Sequence, residues 1–244
     1  EDRFARTPAD GLKSDFDGDG VQRELPVGDI TAATIFQAAL GVPGRVLPDD
    51  QAGINAVNRG QALFESTIES GGTGCAQCHI PSMTLNSRLF VEPNPFNPDG
   101  TFSDNSLSVS FDLTLDGEAP RLEPTGSAGA IVRAYTDMKR HSLCDEIGDP
   151  DQIRYFCNEQ LDQGRPEQDG RKGAEFFITR KLWDVGSSAP YGHRGDLTTI
   201  TEAILMHGGE ARPSRDAFVG MPGDDQAAIV SFLKTLQVIP ETSG

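Results

Sequence analysis

The sequence predicts a mainly α protein with long loop insertions and a small β-hairpin or sheet. Three observations carry that reading. Apolar residues recur at helical spacing in several separate stretches. The 27 glycines and 16 prolines among 244 residues suit long irregular connections between few helices. One stretch, "SLSVSFDLTL", alternates apolar and polar residues as a strand does, with "AIVRAYTD" as its expected partner.

Residues 1–50 read as an N-terminal arm or lobe, and 51–244 as the main domain with an insertion at about 80–172. Within the arm, Ile30 to Leu40 reads as a helix. The domain opens on "INAVNRGQALFEST", where Ile54, Val57, Phe64 and Ile68 fall near one helical face. Gly60 on that helix permits a second helix to cross closely. In "TTITEAILMHGGEA", Thr199 and Glu202 form a capping box and Gly208–Gly209 stops the helix. The chain then reaches "DDQAAIVSFLKTL", with Ile229, Phe232, Leu233 and Leu236 at i, i+3, i+4 and i+7.

Composition excludes several classes. The 21 Lys+Arg against 37 Asp+Glu give a net charge of −16, which repels phosphate backbones and disfavours nucleic acid. Such a surface would steer in a basic protein partner, although solubility alone also explains it. No apolar run approaches the roughly 20 residues of a membrane span. Glu1 opens the chain without a basic, apolar leader, so any signal peptide is expected to lie outside this sequence.

The chemistry is concentrated in "GCAQCHI". Structural zinc would need a further pair of ligands, and a thiol–disulfide redox site would need a βαβ setting; neither flank supplies one. The adjacent histidine points instead to a c-type haem, with thioethers at Cys75 and Cys78 and iron bound by His79. A glycine-bearing helix before this motif, crossed by a C-terminal helix with an aromatic, resembles the class I cytochrome c arrangement. For the opposite face of the iron, His207 shares a stripe with Ile200, Ala203 and Ile204, while Met206 points roughly 100° away. His207 is favoured over Met221, Met206 and an open position. Met221 lies too close to the terminal helix to cross the haem and reads better as an apolar plug.

Six segments together resemble the di-haem oxidoreductases related to bacterial cytochrome c peroxidase and to the methylamine-utilisation haem enzyme. They are "DFDGDGVQRELPVGDITAATIFQAALGVP", "RGQALFES…GCAQCH", "FVEPNPFNP", "VRAYTDMKRH", "KLWDVGSSAPYGHRGDLTTITEAILMHGGEA" and "AIVSFLKTLQVIP". The resemblance implies a distal ligand from the helix after the Pro-Tyr-x-His stretch, where position 207 falls and relatives carry Met, Tyr or His. It places His193 near a haem edge or propionate, with a loop-fixing hydrogen bond as the alternative. His141 matches a family histidine of no derivable role. Arg180 and Trp183 become candidates for propionate pairing and electron transfer, and equally for surface and packing roles. Family peroxidases carry two C-x-x-C-H motifs and this chain has one. A second haem domain is therefore expected to lie outside this chain or to have been lost.

Two further features complete the reading. "DFDGDG" sets Asp15, Asp17 and Asp19 at alternating positions, with Glu24 and Asp29 bracketing Pro26 at the twelfth, where a closing Glu belongs. The loop reads equally as a Ca²⁺ site or as a solvated acidic turn. Cys144 and Cys157 bracket a polar loop and are expected to form a disulfide, which implies an oxidising compartment.

The expected protein is a periplasmic or extracellular bacterial c-type cytochrome with one covalent haem, transferring single electrons to a redox partner protein. Paired imidazoles imply a lower potential than a His/Met pair. Its rivals are a peroxidase-type enzyme with a vacant or labile distal position, and a haem-bearing subunit of a larger assembly.

Overall fold

The computed structural model describes residues 27–92, 109–149, 151–157 and 176–238. Among them are five α-helices and nine short strands in four small sheets, so the fold is mixed α/β rather than mainly α. The excess of strand has a local cause. The long connections do not stay irregular; they double back and satisfy their backbone groups by pairing over two to four residues.

The chain divides into two units, residues 1–42 with 84–131, and residues 43–83 with 132–244. In the first, α1 (Val27–Ala39) covers the expected helix. The Arg121 guanidinium donates to the carbonyls of Ala38, Ala39 and Leu40, which are unpaired by the helix itself. Of the predicted strand, Val109–Asp112 forms, but it pairs with Leu89–Glu92 in antiparallel register, Phe90 opposite Phe111. Its expected partner goes elsewhere: Gly129–Val132 pairs with Glu123–Thr125 through a tight turn. A three-residue loop outcompetes a distant strand because closing it costs less entropy.

The second unit holds the main core. Helix α2 (Gln51–Glu65) starts at Asp50, whose carboxylate accepts from Gly53 N at 2.8 Å, and buries Val57, Gly60 and Phe64. Ile68, expected on the same face, falls beyond the helix end in a 3₁₀ turn and is exposed. Helices α3 (Ile200–Leu205), α4 (Arg212–Gly220) and α5 (Gly223–Thr235) follow. The predicted stripe of Ile229, Phe232, Leu233 and Leu236 is buried throughout.

Helices α2 and α5 cross at Gly60. A Cβ there would lie 1.9 Å from the Ala228 carbonyl oxygen, so only glycine permits this approach. The contact brings Phe64 to 5.5 Å from Phe232, and Tyr135 lies 6.1 and 5.7 Å from the two rings. This aromatic triangle is the floor on which the C-x-x-C-H turn rests.

Candidate cofactor site

Cys75 opens a 3₁₀ turn, Cys75–Gln77, entered through Gly74 at φ +71°. That turn projects Cys75, Cys78 and His79 from one short piece of backbone, with the His79 ring 6.2 Å from Phe64. Both cysteines are free thiols. Burial pushes the Cys75 thiol up, and burial followed by the Asp137 and Glu210 charges does the same to Cys78. A thiol–disulfide catalyst needs the opposite, a thiol held low so that its thiolate attacks.

A zinc site fails on different grounds. Among the described residues, the one group placed to hold a metal ion is Cys78, Asp137 and His141. There the imidazole has no lone pair to give. His141 Nε2–H donates to Asp137 at 2.8 Å and Nδ1–H to Glu210 at 2.8 Å. An imidazole that donates from both nitrogens is a cation between two carboxylates, consistent with its raised pKa, due first to Glu210 and then to Asp137.

His79 and His207 are built differently from His141 and alike. His79 Nδ1–H donates to the Tyr135 carbonyl at 3.0 Å, and His207 Nδ1–H donates to the Ala203 carbonyl at 2.7 Å. A carbonyl can only accept, so each ring has its proton on Nδ1 and an unprotonated Nε2. Burial pushes His79 down to about 4, with the nearby His207 contributing, and burial lowers His207 as well. Both rings are surrounded by protein yet neither loses all its accessible surface. Leu182, Val185, Tyr191, Ile204 and Met221 are likewise only partly buried where they pack on the core that includes Phe64, Tyr135 and Phe232.

The partner of His79 is held under strain. Tyr135 adopts φ +51°, a left-handed conformation that costs a bulky residue about 1–3 kcal/mol. Its ring is anchored in the aromatic triangle and its hydroxyl donates to Glu65 at 3.3 Å, so the carbonyl is fixed facing His79. Thr136 continues the clamp, donating its N–H to the Ile80 carbonyl at 3.1 Å.

His207 stands just beyond α3. The expected capping box is present, Thr199 accepting from Glu202 N at 3.1 Å and Glu202 accepting from Thr199 N at 2.9 Å. The helix stops at Leu205 with Met206 as its cap, two residues earlier than the sequence suggests. Its stripe survives: Ile200 is buried and Ile204 packs on the core. Met221 also packs on that core as α4 ends.

The outer candidates do not converge. Arg180 is exposed, and the Trp183 indole donates to the Arg133 carbonyl at 2.9 Å with Lys181 over its ring. His193 is exposed and meets the Phe177 ring at 5.9 Å. Among the described residues, no hydrogen bond, ion pair or ring contact links these three to Cys75, Cys78, His79 or His207. Asp15, Asp17, Asp19 and Glu24 lie outside the described residues, and Asp29 falls within α1. Cys144 and Cys157 are joined as a disulfide.

Three residues that shape the site were not singled out from sequence. Tyr135 acts through its carbonyl, for which side-chain patterns carry no signal. Asp145 lies inside the disulfide loop, where an acidic residue looks solvated, yet it is buried. Glu210 was visible in His-Gly-Gly-Glu-Ala but without a role.

No solved structure matches this chain. Residues 131–236 match the model of a family described as di-haem oxidoreductase, putative peroxidase. A curated relative, Cytochrome-c peroxidase IdrP1 of Denitromonas iodatirespirans, is 26% identical over 213 residues, or 84% of this chain. The chain spans about half of that relative's length, 47%. Both comparisons therefore agree with the resemblance first carried by the Pro-Tyr-x-His and His-Gly-Gly-Glu-Ala segments: the chain is similar to the di-haem oxidoreductase family over residues 131–236 and to a cytochrome-c peroxidase over most of its length.

Proposed function

We propose that this chain is a haem-bearing oxidoreductase module of the cytochrome c peroxidase kind, in which Cys75 and Cys78 tether one c-type haem and His79 and His207 face its iron. One observation carries the reading. Two nearby, largely shielded imidazoles, each with its proton held on Nδ1 by a backbone carbonyl, offer unprotonated Nε2 atoms, and one of them adjoins two free thiols in C-x-x-C-H. A haem held this way supplies reversible one-electron chemistry at its iron.

The chain's own part is to orient, desolvate and exclude. Tyr135 and Ala203 fix the ring tautomers, and burial keeps both rings neutral and able to donate a lone pair. Burial raises the pKa of both Cys75 and Cys78, which lowers the fraction present as reactive thiolate. With an imidazole on each side, no position is left for peroxide, so electron transfer is favoured over peroxidase chemistry in this module. The net charge of −16 suits a basic redox partner, and the disulfide suits a periplasmic setting.

The alternative, an enzyme with a labile distal ligand, draws on the peroxidase name of the relative. Visible spectra of the haem-loaded protein, ferric and reduced, with and without CO, separate the two. A low-spin ferric spectrum and slow CO binding support the electron carrier; a high-spin band and ready CO binding support the enzyme. Replacing both Cys75 and Cys78 by serine should leave a denatured chain without the mass of a tetrapyrrole. Calcium at Asp15, Asp17 and Asp19 is checked by metal analysis before and after chelation.

A further inference from the structure

The turn carrying His207 has little structure of its own, since α3 has ended and a single 3₁₀ turn, Gly209–Ala211, leads into α4. It is gripped instead by one neighbouring segment. Asp145, its side chain 1% exposed, accepts from Gly209 N at 2.7 Å with one oxygen. Its other oxygen accepts from Ile153 N at 2.6 Å and pairs with Arg212. Glu210 accepts from Ser142 N at 2.9 Å and from His141, whose far nitrogen is held by Asp137. The approach is close because Gly208 and Gly209 lack side chains. A Cβ on Gly209 would lie 2.4 Å from the Ser142 oxygen, and one on Gly208 2.8 Å from that of Leu143.

The same segment begins at Tyr135, whose carbonyl orients His79. We propose that residues 135–145 form a brace fixing the separation of the two imidazoles, with Asp145 and Glu210 as positioning residues for His207. The inference rests on His207 being an iron ligand. Neither carboxylate touches the imidazole. Asp145 holds the Gly209 backbone and the Arg212 guanidinium, two and five residues past His207, and Glu210, three residues past it, holds Ser142 and His141, so each acts on where the ring stands. A buried carboxylate satisfying two N–H groups and a guanidinium has no substitute in water, since removing it strands all three donors.

The test uses the haem-loaded protein with Asp145→Asn, Glu210→Gln, His207→Ala and, as a control in the other unit, Asp112→Asn. Circular dichroism first establishes that each is folded. In Asp145→Asn and Glu210→Gln the ferric low-spin spectrum should weaken, and CO should bind the reduced protein faster by on the order of tenfold. Added imidazole should restore the low-spin spectrum, which a merely structural lesion would not allow. Asp112→Asn should match wild type. Should Asp145→Asn fail to fold, the half-exposed Glu210 carries the test alone. If His207→Ala loses the low-spin signature while both brace variants keep wild-type spectra and CO rates, the brace is overturned and the ligand stands. If His207→Ala itself keeps the wild-type signature, the ligand assignment fails, and the brace falls with it for want of a ligand to position.

Discussion

His79 stands on a turn seated against Phe64, and its hydrogen-bond acceptor is a carbonyl that the buried Tyr135 ring holds in a left-handed conformation. His207 stands past the end of a six-residue helix, and its acceptor is the carbonyl one helical turn behind it. The first imidazole is fixed by core packing across distant sequence. The second is fixed by local backbone plus charged contacts to residues 137–145. Apolar packing is non-directional and insensitive to pH, whereas carboxylate contacts are directional and titrate. The His79 side should therefore fail with the fold, and the His207 side should be adjustable within it.

The largest expected effect breaks the first side. Phe232→Ala removes one vertex of the aromatic triangle at a site with no exposure and should cost about 3–5 kcal/mol, measured by denaturant unfolding. Next, Gly60→Ala should cost about 1–3 kcal/mol by forcing α2 and α5 apart, despite alanine's better helix propensity. Its thermal midpoint should fall; an unchanged midpoint would mean that the crossing relaxes freely. On the second side, Thr199→Ala removes the capping box of α3 and should cost about 1 kcal/mol. Hydrogen exchange should show that loss concentrated in residues 200–207, with α2 and α5 still protected.

The smallest effect is electrostatic. His141 has its folded pKa raised, chiefly by Glu210 and then by Asp137. Its stabilisation is complete below the unperturbed histidine value of about 6.5 and is lost as pH rises through the higher folded value. The melting temperature should thus decline as pH rises through that window, and His141→Gln should flatten the decline.

Legibility in the sequence followed the range of the interactions. The α2 and α5 stripes, Gly60 as a crossing point and the Thr199–Glu202 box were readable because helical periodicity and capping are local. The C-x-x-C-H turn was readable for the same reason. The strands were underestimated because runs of two to four residues have no periodicity to detect, and the partner of Val109–Asp112 was misassigned because Gly129–Val132 is taken by the adjacent Glu123–Thr125. Tyr135, Asp145 and Glu210 escaped because they work through backbone geometry and contacts spanning more than 50 residues. His193, Arg180 and Trp183 drew attention through the resemblance; the structure sets His193 against Phe177 and Trp183 on the Arg133 carbonyl, and Arg180 is exposed.

The pairing of Cys144 with Cys157 while Cys75 and Cys78 stay reduced has a consequence for biogenesis. A first disulfide could join any of six pairs among the four thiols, and only Cys144–Cys157 leaves both Cys75 and Cys78 open. Under the proposed haem attachment, an oxidising folding environment would have to sort them before the prosthetic group arrives. Shielding of Cys75 within the folded chain slows its attack on disulfides, so early folding of the region around it would protect the correct outcome. Secretion conditions that oxidise the nascent chain too fast should yield colourless, misbridged protein.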